Sequence, residues 1–157
     1  MKIFALLTIP LSALAAAKAT ISKHFETAPF VPAAPEQETL NRCSTEEHHK
    51  GRLTHTADML DYLEISEWAN ENNGVWMLKT TTDADDCEWN VLHVQGNCAL
   101  FVKNTEPTSI GSKDVVDLIE AIHLGDGIGL GPIEELGTFG GCQDGANVSF
   151  WLRSPGP

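Results

Sequence analysis

The strongest periodic signal along the chain lies between residues 110 and 123. Val115, Leu118, Ile119 and Ile122 recur at i, i+3, i+4 and i+7, which places them on one face of a helix. Asp114 and Asp117 fall off that stripe. Ser112 suits the N-cap, and Asp114 sits in the first turn, where the helix dipole favours a carboxylate. Gly125, just past the last periodic residue, suits a left-handed C-cap. A second helix is expected from about residue 57 to 70, capped by Thr56. Met59, Tyr62, Leu63, Ser66 and Ala69 share its apolar face, with Asp61, Glu64, Glu67 and Glu71 opposite them in a solvated stripe. Asn72-Asn73-Gly74 ends that helix.

Strand composition marks residues 75–80 and 88–94. Gln95-Gly96-Asn97 turns the second of these back into residues 98–103 as a hairpin. Residues 51–56 read as a short edge strand, 125–132 as a Gly-rich strand or extended loop, and 133–144 as irregular. Near the end, Val148, Phe150 and Leu152 alternate with Asn147, Ser149 and Trp151, the pattern of a half-buried final strand. Strands from both ends of the domain with two helices between them predict an α+β fold: an antiparallel sheet with both helices packed on one face.

The N-terminal stretch stands outside that domain. Lys2 precedes an apolar run from Ile3 to Ala17, and Ala17-Lys18-Ala19 supplies small residues where a signal peptidase reads. Residues 1–19 are expected to be a secretory signal, cleaved after Ala19 or Ala17; the run is too short to span a membrane. Residues 20–42 contain Pro29, Pro32 and Pro35 and no sustained period, and are expected to be a mobile leader. The domain then covers 43–153, and 154–157 form a tail. The protein is therefore expected to be secreted, extracellular and monomeric, without a membrane span.

Charge narrows the partners. The full chain carries a net charge of −12; removal of residues 1–19 takes away Lys2 and Lys18 and no acid, leaving −14. Such a chain is repelled by nucleic acid and by anionic membranes. Its four cysteines, Cys43, Cys87, Cys98 and Cys142, are an even number in an exported protein and imply two disulfides. Three pairings are open. The preferred one joins Cys87 to Cys98 within the hairpin and Cys43 to Cys142 across the domain.

Candidate chemistry is sparse. Gly125 to Gly131 lacks P-loop spacing and follows a helix instead of opening one. Asp83, Asp85 and Asp86 start like a calcium loop, but Glu88 and Val94 stand where the loop needs Gly and Glu. His48, His49 and His55 lie near Glu46 and Glu47 without the helical spacing of a metalloprotease, and His93 and His123 are isolated. No serine sits in a nucleophile elbow. Acids are plentiful enough for a glycosidase-like pair, yet none is singled out. No catalytic, cofactor-binding or metal-binding residue is assigned, and no cofactor is expected. Asn147-Val148-Ser149 is an N-glycosylation sequon.

One ordered set of residues resembles a known family: Gly96-x-Cys98-x-x-Phe101-Val102, Ile110-Gly111-x-x-Asp114-Val115-x-Asp117-Leu118-Ile119, Gly127-Ile-Gly129, Cys142, and Val148 with Trp151 and Leu152. Across residues 43–153 this is similar to the secreted fungal necrosis-inducing factors, homologues of an extracellular effector of a leaf pathogen. The resemblance implies a small, two-layer, disulfide-stabilised α/β sandwich like that of virally encoded fungal killer toxins. It implies a non-enzymatic virulence effector that binds a host or competitor cell-surface protein, with an antifungal toxin as the alternative; the abundant acids, not the resemblance, leave a secreted hydrolase as a third reading. The chain departs from the family in having Thr56-Ala57-Asp58 where members usually carry a cysteine, and in adding Cys87.

Overall fold

The computed structural model describes residues 25–35, 37–38, 40–81, 89–125, 131–143 and 145–156. The expectations placed on the signal segment, on Asp83 to Cys87 and on Gly127–Gly129 lie outside these residues. The elements are β1 (Phe25–Thr27), β2 (Phe30–Pro32), β3 (Thr45–Lys50), α1 (Met59–Glu71), β4 (Gly74–Leu78), β5 (Trp89–Gln95), β6 (Cys98–Asn104), β7 (Thr108–Gly111), α2 (Ser112–Gly125), β8 (Glu135–Gly140) and β9 (Val148–Arg153). The fold is α+β. A six-stranded sheet runs β1-β5-β6-β9-β8-β3, antiparallel except where β1 joins β5 in parallel, and a three-stranded antiparallel sheet runs β2-β4-β7.

Three sequence expectations are corrected. The stretch expected to be a mobile leader supplies β1 and β2, each paired to a domain strand, so order begins well before Cys43. Its prolines are compatible with this because β2 lies at a sheet edge, where a missing amide donor costs no ladder bond. The short edge strand falls at Thr45–Lys50 instead of 51–56, and residues 135–140 form β8 instead of an irregular stretch. β3 and β8 pair with each other, and neither shows apolar alternation, so each is legible only through its partner.

The core forms where the strongest periodicities meet. Val115, Leu118, Ile119 and Ile122 of α2 join Tyr62, Ile65 and Ala69 of α1, Leu100 and Val102 of β6, and Val148, Phe150 and Leu152 of β9 in one buried cluster. The two helices pack on each other. Each large side chain in that cluster stabilises the fold by about 1.5–3 kcal/mol through burial.

Helix α2 starts differently from its sequence signals. The Ser112 hydroxyl is buried and bonded to Asn73 Oδ1 at 3.2 Å instead of capping its own first turn. Asp114 is only 1% exposed and takes the capping role. Its Oδ2 accepts the Gly111 amide at 2.7 Å, the third helical residue reaching back to the cap position. The same carboxylate accepts the Arg42 amide at 3.0 Å and the Cys43 amide at 3.1 Å. Gly111 permits this junction, because a Cβ there would stand 2.0 Å from the Leu40 carbonyl oxygen. Asp114 thus fixes the segment leading into the Cys43–Cys142 disulfide, which closes a sequence separation of 99. Burial raises the Asp114 carboxyl above its usual range, and the three amide donors oppose that shift.

Candidate functional site

The strand registers sort side chains to two faces of the six-stranded sheet, because directly opposed residues share a face. Cys98, Leu100 and Val102 face the core. The pairs Phe25 with Trp89, Val91 with Phe101, Phe101 with Trp151, Leu136 with Trp151 and His49 with Leu136 carry the other face across all six strands. Val91, Ala99 and Phe101 are buried there, with Phe25, Trp89, Val94 and Trp151 packed around them. Ring centroids of Phe25 and Phe101 lie 4.7 Å apart, and those of Trp89 and Trp151 lie 5.9 Å apart.

Two groups fix Trp151. The Arg153 guanidinium stacks 3.9 Å from the Trp151 ring and 5.0 Å from the Phe101 ring, a cation–π arrangement. Burial lowers the Arg153 pKa, and neighbouring Glu134 raises it again. On the other side, the indole Nε1 donates to Glu134 Oε1 at 3.2 Å. Glu134 is 1% exposed. Its Oε2 also accepts the amides of Thr54 at 2.7 Å and His55 at 3.3 Å, while its backbone carbonyl accepts the Gly51 amide at 2.6 Å. The chain from Gly51 onward therefore curls around Glu134 before Ala57 bridges Ile133. This explains why 51–56 forms no strand: the Thr54 and His55 amides are drawn to one carboxylate and the Gly51 amide to the same residue's carbonyl. Leu53 adopts φ 55°, a left-handed conformation rare for leucine, at the exposed tip of that curl.

The curl and the outer face enclose an open cleft of about 580 Å³, within the usual range for ligand sites. Trp151 and Leu136 form its apolar wall, Glu134 its floor, and His49, Arg52 and His55 its rim. Glu134 is the one carboxylate among its described lining residues. A groove of about 380 Å³ adjoins it, sharing His49 and Leu136 and adding Trp89, Glu47, Thr138 and Ser149.

The other residues singled out from sequence lie apart from this cleft. Cys43 and Cys142 are bonded to each other as expected. Cys98 is a buried free thiol, so the second bridge expected on it is corrected; Cys87 lies outside the described residues. The register places the Cys98 side chain on the core face with Leu100, and burial, with Asp61 adding to it, pushes the thiol up to about 12. Asn147 is exposed just before β9. His48 contacts Glu135 Oε2 at 3.4 Å, and His123 Nδ1 lies 3.2 Å from the Tyr62 hydroxyl. His93 stacks on Trp68 at 4.3 Å, and burial lowers its pKa. Among the described residues, no group of three or more His, Cys, Asp or Glu side chains could hold a metal ion, and no helix is long and apolar enough to cross a membrane.

Glu134 and Arg153 were not singled out by sequence reasoning. The outward position of Trp151 beside Ser149 was the available signal, because a tryptophan on the solvent side of a strand needs a partner. No family model matches the chain, and no curated protein matches it.

Proposed function

We propose that this chain is a secreted, non-enzymatic effector that binds a cell-surface target outside the cell through the cleft on the outer sheet face. One observation carries the reading: the carboxylate of the cleft is already committed. Three N–H donors converge on Glu134, and no second carboxylate lines the cleft among the described residues. A glycosidase-like pair needs two carboxylates facing the substrate. A fixed indole on an anchored loop is instead the pre-organised surface that recognition favours.

The finer architecture belongs to the same proposal. The chain is a two-layer sandwich with both helices against one face of the six-stranded sheet. The sharing of one buried cluster by α1, α2, β6 and β9 supports it, as does an outer-face cluster that holds no helical residue among those described. The residue pattern resembling necrosis-inducing factors, the signal-like N-terminus and the disulfide point the same way. In the test, protein secreted by an oxidising expression host is infiltrated into leaves beside a reduced, alkylated sample. Necrosis from the oxidised form alone is expected. Equal activity of both forms, or turnover of a cell-wall polysaccharide, overturns the reading.

A further inference from the structure

Resting on that reading, we infer that the cleft takes a carboxylate-bearing sugar, a uronic acid unit of an acidic polysaccharide. The inference starts from a contrast of charge. The chain is strongly acidic, yet residues 48–57 contain no Asp or Glu and bring together His48, His49, Lys50, Arg52 and His55. His49, Arg52 and His55 are exposed and line the cleft. Arg52 and Lys50 bring fixed positive charge to the cleft, and the imidazoles of His49 and His55 add hydrogen-bonding groups beside them.

The wall supplies the second half of the recognition. Trp151 is half-buried and held by Glu134 and Arg153, and a sugar ring packs its C–H face on such a fixed indole. Trp89 continues the aromatic surface into the adjoining groove, where Thr138 and Ser149 offer hydroxyls. A polymer that crosses both clefts would meet rings, hydroxyls and cations in turn. A neutral sugar would leave the cationic rim without a partner, and a peptide carboxylate would leave the indole wall without a ring.

Of the three described acids around the cleft, two have partners and the third lies in the adjoining groove. Glu134 is bonded to two amides and the Trp151 indole, Glu135 faces His48 from the core side of β8, and Glu47 is the acid that lines the adjoining groove. The global negative charge acts weakly inside the cleft, because at about 0.1 M salt electrostatic interactions are screened beyond about 10 Å.

The test is calorimetric titration of the secreted protein, at mildly acidic pH and near-physiological salt, with three probes. These are a short galacturonic acid oligomer, its fully methyl-esterified form and polyglutamate. A variant carrying H49Q, R52Q and H55Q, all exposed positions, serves as the comparison. The oligomer is expected to bind, with affinity reduced about tenfold or more in the variant, at about 2–5-fold for each of the three exposed polar groups replaced. The ester, which lacks the charges, is expected to bind at least about tenfold more weakly than the free acid, given the same per-charge factors, and polyglutamate, which keeps the charges but offers the indole no ring, is expected to bind more weakly than the free acid. No binding of the free acid, equal binding of polyglutamate, or binding unchanged in the variant overturns the assignment. Leaf infiltration of the same two proteins separates this inference from the reading beneath it. Necrosis lost in the variant when neither protein binds the oligomer overturns the sugar and keeps the cleft as the effector site. Oligomer binding lost in the variant with necrosis unchanged supports the sugar and removes the cleft from the necrosis.

Discussion

Replacing Asp114 by Ala tests whether one buried carboxylate holds the N-terminal segment to the helical core. The substitution strips the acceptor from the Gly111, Arg42 and Cys43 amides, which lie 2.7, 3.0 and 3.1 Å from its oxygens. A buried donor left unsatisfied costs about 1–3 kcal/mol, so three of them bound the loss at about 3–9 kcal/mol. Two effects reduce it: the Arg42 amide is only part-buried, and removing a carboxylate disfavoured by burial recovers some free energy. We expect a net loss of about 3–5 kcal/mol, the scale of breaking a buried charged contact. In urea melts this appears as a lower midpoint at unchanged slope. The neighbouring Asp117, in a part-buried i,i+4 pair with Lys113, is the control, and its Ala variant should lose less than about 0.5 kcal/mol. A D114A loss under about 1 kcal/mol would show that water or a backbone shift replaces the carboxylate, and the argument would fail. The pH dependence has a defined sign. The folded-state pKa of Asp114 is raised above its unfolded value, so its contribution is full below the unfolded carboxyl pKa and is lost as pH rises through the folded one. The stability difference between wild type and D114N should therefore shrink as pH rises through that window. A difference that grows with pH would mean the amide donors outweigh burial.

What the sequence made legible follows from where the determinants lie. The stripe Val115, Leu118, Ile119 and Ile122 is buried throughout because period and burial are one property read twice. The hairpin β5–β6 was legible because Gly96, at φ 53°, supplies the left-handed residue its turn needs. β9 was legible from its strict alternation. β3 was not, since Thr45-Glu-Glu-His-His-Lys has no apolar side, and its place is set by backbone pairing to β8. Gly137 of β8 allows that pairing to close, because a Cβ there would meet the Glu47 carbonyl oxygen at 1.9 Å. The cleft was half legible. His49 and His55 were noticed beside Glu46 and Glu47, and Trp151 on the outward side of its strand, but Glu134 gathers donors from positions 80, 79 and 17 residues away, a convergence no local window contains. For the same reason Asp114 read as a helix-dipole residue, when its main partners lie 72 and 71 positions upstream.

Further outcomes can be checked on the same material. Cys43→Ser should cost about 4–5 kcal/mol, the loop-entropy value for a separation of 99, and denaturant melts of this variant should match those of reduced wild type. Cys98 should resist alkylation at mildly alkaline pH in the native state and react after unfolding, because its thiol is buried and pushed up to about 12; peptide mapping that finds native Cys98 labelled would contradict this placement. Protein from a glycosylating host should carry a glycan on Asn147, exposed before β9, and lose that mass in N147Q. Glu134→Gln keeps the shape of the cleft floor but not its chemistry. The carboxylate offers two acceptor oxygens to three donors, whereas the amide keeps one oxygen and turns an NH2 toward either the Thr54 and His55 amides or the Trp151 indole. Either orientation sets donor against donor and leaves Arg153 without its neighbouring charge. A loss of about 2–3 kcal/mol is expected, together with faster hydrogen exchange at the Thr54 and His55 amides, because the curl has no other described acceptor for them. Exchange left unchanged in E134Q would mean that the curl is held from elsewhere, and Glu134 would then be a bystander in the cleft instead of its anchor.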